Sequence, residues 1–333
     1  MRLHRSASTA LALLLAAFGA GCSSGAPRGA PATTAPPATT APPATTAPPA
    51  TTAPSGTGAA GVTASIPCTG AAPPARLAHV VWIIMENRGL SQIDGSRSAP
   101  YLNSLGRACG LAADYSGVAH PSLPNYIALT SGSTQGITDD SGPASHPVSA
   151  PSIFSLLGPD WRSLEESMPS SCDQHGGGEY AVKHNPAAYY TNVAAACRAQ
   201  DVPLGPVPDL SARFTLITPN LCHDMHDCST AAGDRWLASE VPQILDSSEY
   251  RSGSTALFIT WDENDSGGSR VATYVIAPSV PPGTRSTVAF DHYSLLRTTE
   301  ELLGLSPLLG RAATAASMTT AFHLQSRSST LSP

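Results

Sequence analysis

Four short runs constrain this chain more than anything else in it. They are HVVWIIM at 79–85, FTLIT at 214–218, TALFITW at 255–261 and VATYVIA at 271–277. Each is continuously apolar and rich in β-branched and aromatic residues, the pattern of strands buried on both faces rather than one. Helical patterns lie around them: 100–108, 234–245 with Pro242 set to kink or shorten it, and 294–303 with Ser294 as its expected N-cap and Gly304 at its end. Strands alternating with helices predict a three-layer α/β/α sandwich around a largely parallel central sheet. Ligands in such sheets sit beyond the carboxyl ends of the strands.

Polar residues occupy those ends. Glu86-Asn87 come directly after the first run, Pro-Asn-Leu-Cys-His-Asp-Met-His-Asp-Cys (219–228) after the second, and Asp262-Glu263 after the third. Polar residues often just terminate apolar strands. Acids, amides and histidines gathered at three ends point instead to a shared metal site. Oxygen donors suit Mg²⁺, Ca²⁺ or Mn²⁺, while mixed His/Asp ligation from 223–227 would admit Zn²⁺ or Fe.

The segment His120-Pro-Ser-Leu-Pro-Asn-Tyr126 opens a further helix, expected to run to Ser131. Ser122 then lies at its N-terminus, where free N–H groups and the positive dipole end favour an anion. A serine there is either a plain N-cap or a nucleophile, and the second role needs a base or a metal beside it.

The flanks differ in composition. Arg2 and Arg5, an apolar stretch and Gly19-Ala20-Gly21 make residues 1–22 an export signal, and Cys22 after it resembles a bacterial lipobox cysteine awaiting lipidation. Residues 23–75 carry only one charge, Arg28, and repeat APPATT at 35–40, 41–46 and 47–52. Such a Pro/Ala/Thr-rich disordered linker cannot bury a core and acts as a semi-rigid spacer. The catalytic domain is expected over 76–333. Six cysteines remain beyond Cys22, and chain order suggests Cys68–Cys109, Cys172–Cys197 and Cys222–Cys228 as disulfides of an exported protein. A net charge of −6, with Lys183 the sole lysine, argues against nucleic acid as a partner. Beyond the leader, nothing approaches the ~20 apolar residues of a membrane span. The expected location is extracytoplasmic, lipid-anchored or secreted, as a monomer.

Met-Glu-Asn, His-Pro-Ser-Leu-Pro-Asn-Tyr, the 219–228 segment, Thr-Trp-Asp-Glu and Asp291-His-Tyr-Ser-Leu-Leu-Arg297 occur here in one order. In that order they resemble the bacterial phosphoesterase family of acid phosphatases and phosphatidylcholine-type phospholipases C, with an alkaline phosphatase-like core, over about residues 78–310. The resemblance implies that Glu86, Asn87, Asp262 and Glu263 bind a divalent metal, with Ser122 as both ligand and nucleophile, and that Asn125 contacts phosphate. His120, His184 and His226 are candidates for phosphate contact or leaving-group protonation. Lys183 and Asp224 are placed on the substrate side, with a solvated loop cation and a helix cap as their plainer readings. Asp139, Asp140 and His146 read as solvent-exposed. His292 reads as a supporting or a packing residue.

Phospholipase C relatives follow Asp-Glu with His-Gly-Gly, where this chain has Asn264-Asp265-Ser266-Gly267-Gly268. That departure favours a small phosphorylated substrate and a phosphomonoesterase working through a phosphoserine. A phospholipase C or other phosphodiesterase, and a non-catalytic lipoprotein that binds phosphorylated ligands, are the alternatives.

Overall fold

The structure is a computed structural model. It describes residues 67–265 and 268–325, so the expected export signal, Cys22 and the proline-rich repeat lie outside the described residues.

Among the described residues nine strands form one sheet: β1 His79–Met85, β2 Gly110–Ser116, β3 Trp161–Glu165, β4 Asp201–Pro203, β5 Phe214–Thr218, β6 Thr255–Trp261, β7 Arg270–Ile276, β8 Thr284–Ser286 and β9 Phe290–Asp291. Their order is β4-β3-β5-β1-β6-β7-β2-β8, with β9 also paired to β2. β7 alone is antiparallel to its neighbours β6 and β2. That reversal explains why the fourth apolar run ends in proline and not in acids: its carboxyl end lies at the opposite edge from the others. β1 and β6 pair in parallel along their whole length, Met85 facing Trp261.

The predicted helices are present with shifted ends. Pro100–Ala108 matches. The helix around 234–245 runs Thr230–Asp246, straight through Pro242. The C-terminal one is His292–Leu303, and its N-cap is Asp291, whose side chain accepts from the Ser294 amide, so Ser294 is not the cap. Gly304 closes it in the left-handed region at φ 64°.

The packed body begins earlier than the composition change at residue 76. Cys68 is fully buried, and the amides of Thr69, Gly70 and Ala71 donate to the carbonyls of Pro278 and Val280. All three disulfides form as chain order suggests, joining Cys68 to Cys109, Cys172 to Cys197 and Cys222 to Cys228.

Candidate active site

Two central strand ends fix the site. Backbone ties stitch them together: Asp262 N donates to Met85 O at 3.0 Å and Glu86 N donates to Asp224 O at 2.8 Å. The turn after β1 puts Asn87 in the left-handed region at φ 53°, a conformation asparagine tolerates, and its amide donates to Asp262 Oδ1 at 3.3 Å. Arg88 ties the same turn to the disulfide loop through the Cys228 carbonyl at 3.0 Å. Gly117 passes so close that a Cβ there would meet the Asp262 carbonyl oxygen at 2.6 Å.

Ser122 is the first residue of the helix Ser122–Ser131, buried at 2% exposure. Its Oγ donates to Glu86 Oε2 at 3.0 Å, and the hydroxyl stands beside Asp262, whose pKa it draws down. Tyr126, one turn later on the same face, donates to Glu86 Oε1 at 2.7 Å. Ser122, Glu86 and Asp262, far apart in sequence, are therefore brought together.

The electrostatics are those of crowded acids. Burial, then Asp262 and Asp224, push the Glu86 carboxyl well above its usual range. Burial, then Glu263, raise Asp262 to about 7, and burial raises Asp224 to about 7. Buried carboxylates need a compensating charge. Asp262 Oδ2 and Asp224 Oδ2 have no hydrogen-bond partner, nor does either ring nitrogen of His184. Nε2 and Nδ1 of that ring nevertheless lie 3.1 Å from Glu86 Oε1 and 3.3 Å from Asp224 Oδ2. Unsatisfied atoms of this kind fit a divalent cation, and Glu86, His184 and His226 offer ligand atoms that lie within 4.8 Å of one another; of the oxygen set expected from the sequence, Glu263 is instead turned to His120.

The histidines separate by exposure. The His120 side chain is 77% exposed, and its Nδ1 lies 2.5 Å from Glu263 Oε2. The hydrogen bond that His120 donates to Glu263 raises the His120 pKa, although burial keeps Glu263 itself above its usual value. His184 is buried, stacked on the Tyr126 ring at 5.3 Å, and held neutral by desolvation and then by Lys183. His226 Nδ1 pairs with Asp227 Oδ1 at 2.7 Å while Nε2 lies 3.4 Å from Lys183 Nζ. His223 turns away, to Glu166 at 2.9 Å and the Trp236 ring. A cleft of about 470 Å³ opens beside Gly117, Val118, Ala119, His120 and Glu263.

Three expectations change. Asn125 has no capacity left for phosphate. Its Oδ1 accepts from Val118 N and Ala119 N at 3.0 and 2.9 Å, and its Nδ2 donates to the Ala119 and Pro121 carbonyls. It clamps the loop before Ser122 instead. Asp224 is fully buried behind His184 and accepts from His226 N at 2.6 Å, so it orients the histidines and does not face a substrate. Asp140 is not simply solvated: it accepts from Leu123 N at 3.0 Å and from Lys183 Nζ at 3.0 Å.

Sequence reasoning gave Tyr126 no role and left Asp140 in solvent. The four-residue spacing of Tyr126 from Ser122 is a signal for the first, and nothing local marks the second. His292 supports the site, its Nε2 2.6 Å from the Asp262 carbonyl oxygen.

The fold is similar to a protein of the alkaline phosphatase superfamily from Vibrio parahaemolyticus, with a TM-score of 0.50 and 12% identity, covering 73% of this chain and 70% of that one. It is also similar to the lipoteichoic acid synthase LtaP of Listeria monocytogenes, at TM-score 0.51 and 12% identity, covering 74% and 78% of the two chains. The fold is that of an alkaline phosphatase-type core, and the family match and relatives place the chain among phosphoric ester hydrolases. The chain belongs to the Phosphoesterase family, whose match spans residues 95–306. A phosphatidylinositol-3-phosphatase of Mycobacterium tuberculosis is 32% identical over 267 residues, 77% of this chain and 87% of the relative. A probable acid phosphatase of Kluyveromyces lactis is 27% identical over 252 residues, 69% of this chain but only 58% of the relative. The chain thus spans little more than half the length of that fungal enzyme.

Proposed function

We propose that this chain is a metal-dependent phosphomonoesterase that works outside the cytoplasm through Ser122. The observation that carries the reading is the Ser122 hydroxyl, 3.0 Å from Glu86 Oε2 and beside Asp262, at the start of a helix.

Glu86, Asn87, Asp262, Glu263 and Ser122 would hold a divalent cation, which lowers the serine hydroxyl pKa and offsets phosphoryl charge. The chain's own groups do the rest. Helix N-terminal N–H groups and Lys183 orient the phosphoryl oxygens. Ser122 passes its proton to Glu86 Oε2, which accepts its hydrogen bond at 3.0 Å; Oγ attacks phosphorus in line, an Oγ–P bond forms, and the bond to the alcohol breaks. His120, exposed to the cleft and with its pKa raised by its hydrogen bond to Glu263, gives its proton to the departing alkoxide. Water then cleaves the phosphoserine and releases phosphate. His184, neutral and buried, orients Glu86 and transfers no proton to the leaving group; this leaves His120 of the three candidate histidines for proton transfer and His226 for phosphate contact. The open cleft beside His120 accommodates a varied polar leaving group, and the headgroup monoester named for the mycobacterial relative is one of that class.

Three disulfides fit an oxidising compartment. Among the described residues no helix is long and apolar enough to cross a membrane, so attachment would rest on Cys22. Ser122→Ala should abolish p-nitrophenyl phosphate turnover with the fold intact, and acid quenching of the wild type should trap phosphate on Ser122. Retained turnover in the variant rejects the nucleophile, and faster diester than monoester cleavage by the wild type rejects the substrate class.

A further inference from the structure

The helix that starts at Ser122 already holds an anion. Asp140 reaches in from the Gly/Ser/Pro-rich loop after that helix, and its Oδ1 accepts from Leu123 N, one residue past the proposed nucleophile, at 3.0 Å. Its Oδ2 accepts from Lys183 Nζ at 3.0 Å. A backbone N–H at a helix start and a lysine ammonium are the two donors that a phosphoryl group at Ser122 would use. Asp262 Oδ2, fully buried and without a hydrogen bond, stands beside the same serine, an independent sign that the place is built for a charged ligand.

Asp140 is only partly covered. Its side chain is 28% exposed and Lys183's is 23%, so both can swing outward. The surrounding loop is anchored without it: Asp139 accepts from Ser141 N and faces His146 Nε2 at 2.7 Å, Tyr189 OH donates to Ser141 O, and Val148 bridges to Tyr190. Moving one carboxylate therefore need not unravel the loop.

We propose that Asp140 is an internal competitor for the phosphoryl site, a carboxylate that any phosphoryl ligand must displace from Leu123 N–H and Lys183. This rests on the reading of Ser122 as the phosphoryl acceptor. A phosphomonoester carries about −1.5 to −2 near neutral pH, against one negative charge on the carboxylate, so exchanging Asp140 for it strengthens both contacts. The cost of displacing Asp140 is the same for every phosphoryl ligand, so Asp140 weakens substrate binding and product phosphate retention alike.

The test measures binding apart from turnover. Inorganic phosphate is titrated calorimetrically into the metal-supplemented Ser122→Ala protein at pH 7.5, with and without Asp140→Asn. The isosteric amide keeps an acceptor for Leu123 N–H while removing the charge. Phosphate affinity should rise about tenfold with the amide. In the Ser122-containing protein, Asp140→Asn should lower KM for p-nitrophenyl phosphate and strengthen product inhibition by phosphate severalfold, with an unchanged melting temperature. Unchanged or weaker phosphate affinity overturns the proposal, the latter showing that Asp140 merely positions Lys183. Persistent turnover in Ser122→Ala alone would instead count against the nucleophile, so the two failures are distinguishable.

Discussion

The ring of His292 is wired to the backbone of Asp262: Nε2 lies 2.6 Å from the carbonyl oxygen. A carbonyl only accepts, so Nε2 carries the proton and Nδ1 accepts from Tyr115 OH at 3.0 Å. Burial holds the His292 pKa down to about 4, consistent with a neutral ring in that tautomer. His292→Ala is expected to lower kcat for p-nitrophenyl phosphate by about 10–100-fold, with a smaller change in KM, as for other groups that orient metal-site ligands. Tyr115→Phe should follow it in the same direction with a smaller effect. Equal losses in kcat/KM from KM alone would show that the ring acts on substrate binding instead.

Chelation is expected to remove activity and add-back of a divalent cation to restore it. At a free cation concentration of 100 times its Kd, binding adds about 2.7 kcal/mol to stability. A differential scanning experiment with and without the ion reads this directly, and Glu86→Gln should erase most of the ion-dependent shift.

The Cys222–Cys228 bond closes a short loop bearing His226, in which Met225 is held at φ 82°. A loop of that length is worth about 2 kcal/mol by the chain-entropy relation. Cys222→Ser with Cys228→Ser should lower the melting temperature accordingly and cut turnover as well, because the loop also holds Asp224 against His184. A loss of stability with full turnover would separate the loop from the site.

Glu300 offers a pH test away from the site. It is fully buried; its Oε1 accepts from Leu309 N at 3.0 Å, while Oε2 has no partner. Burial raises its pKa to about 7 from 4.5. Between those values the folded state holds a proton that the unfolded state has released. Its contribution to stability is therefore fully present below about pH 4.5 and is lost as pH rises through 7. Glu300→Gln should melt close to the wild type at pH 5 and higher than it at pH 8, by roughly 3 °C or more.

The sequence displayed the middle of the sheet and hid its edges. Strands β1, β5, β6 and β7 are buried on both faces, so their apolar runs are unbroken. Strand β3, WRSLE, shows no such run because its polar residues are satisfied internally, as where Ser163 donates to Glu165 at 2.7 Å. Glu86, Ser122 and Asp262 were legible because each sits at the end of a recognisable element. The roles of Asn125 and Asp140 were not, since both depend on which backbone amides a loop brings within reach. Local spacing also gave no sign that His184 would be buried and His120 exposed. Pro242 broke expectation because it lies in a long helix whose Leu237, Val241 and Ile244 are anchored in the core.

Met85 and Trp261 sit opposite each other in the parallel ladder, and Glu86 and Asp262 are the next residue on each strand. The two acids are thus kept in step by backbone pairing alone. A single-residue insertion or deletion in either strand would send one acid to the other side of the sheet while leaving every side chain of the constellation chemically intact. Length variation among natural or engineered versions of this chain should therefore gather in the outer connections, and these two central segments should change only by substitution or not at all.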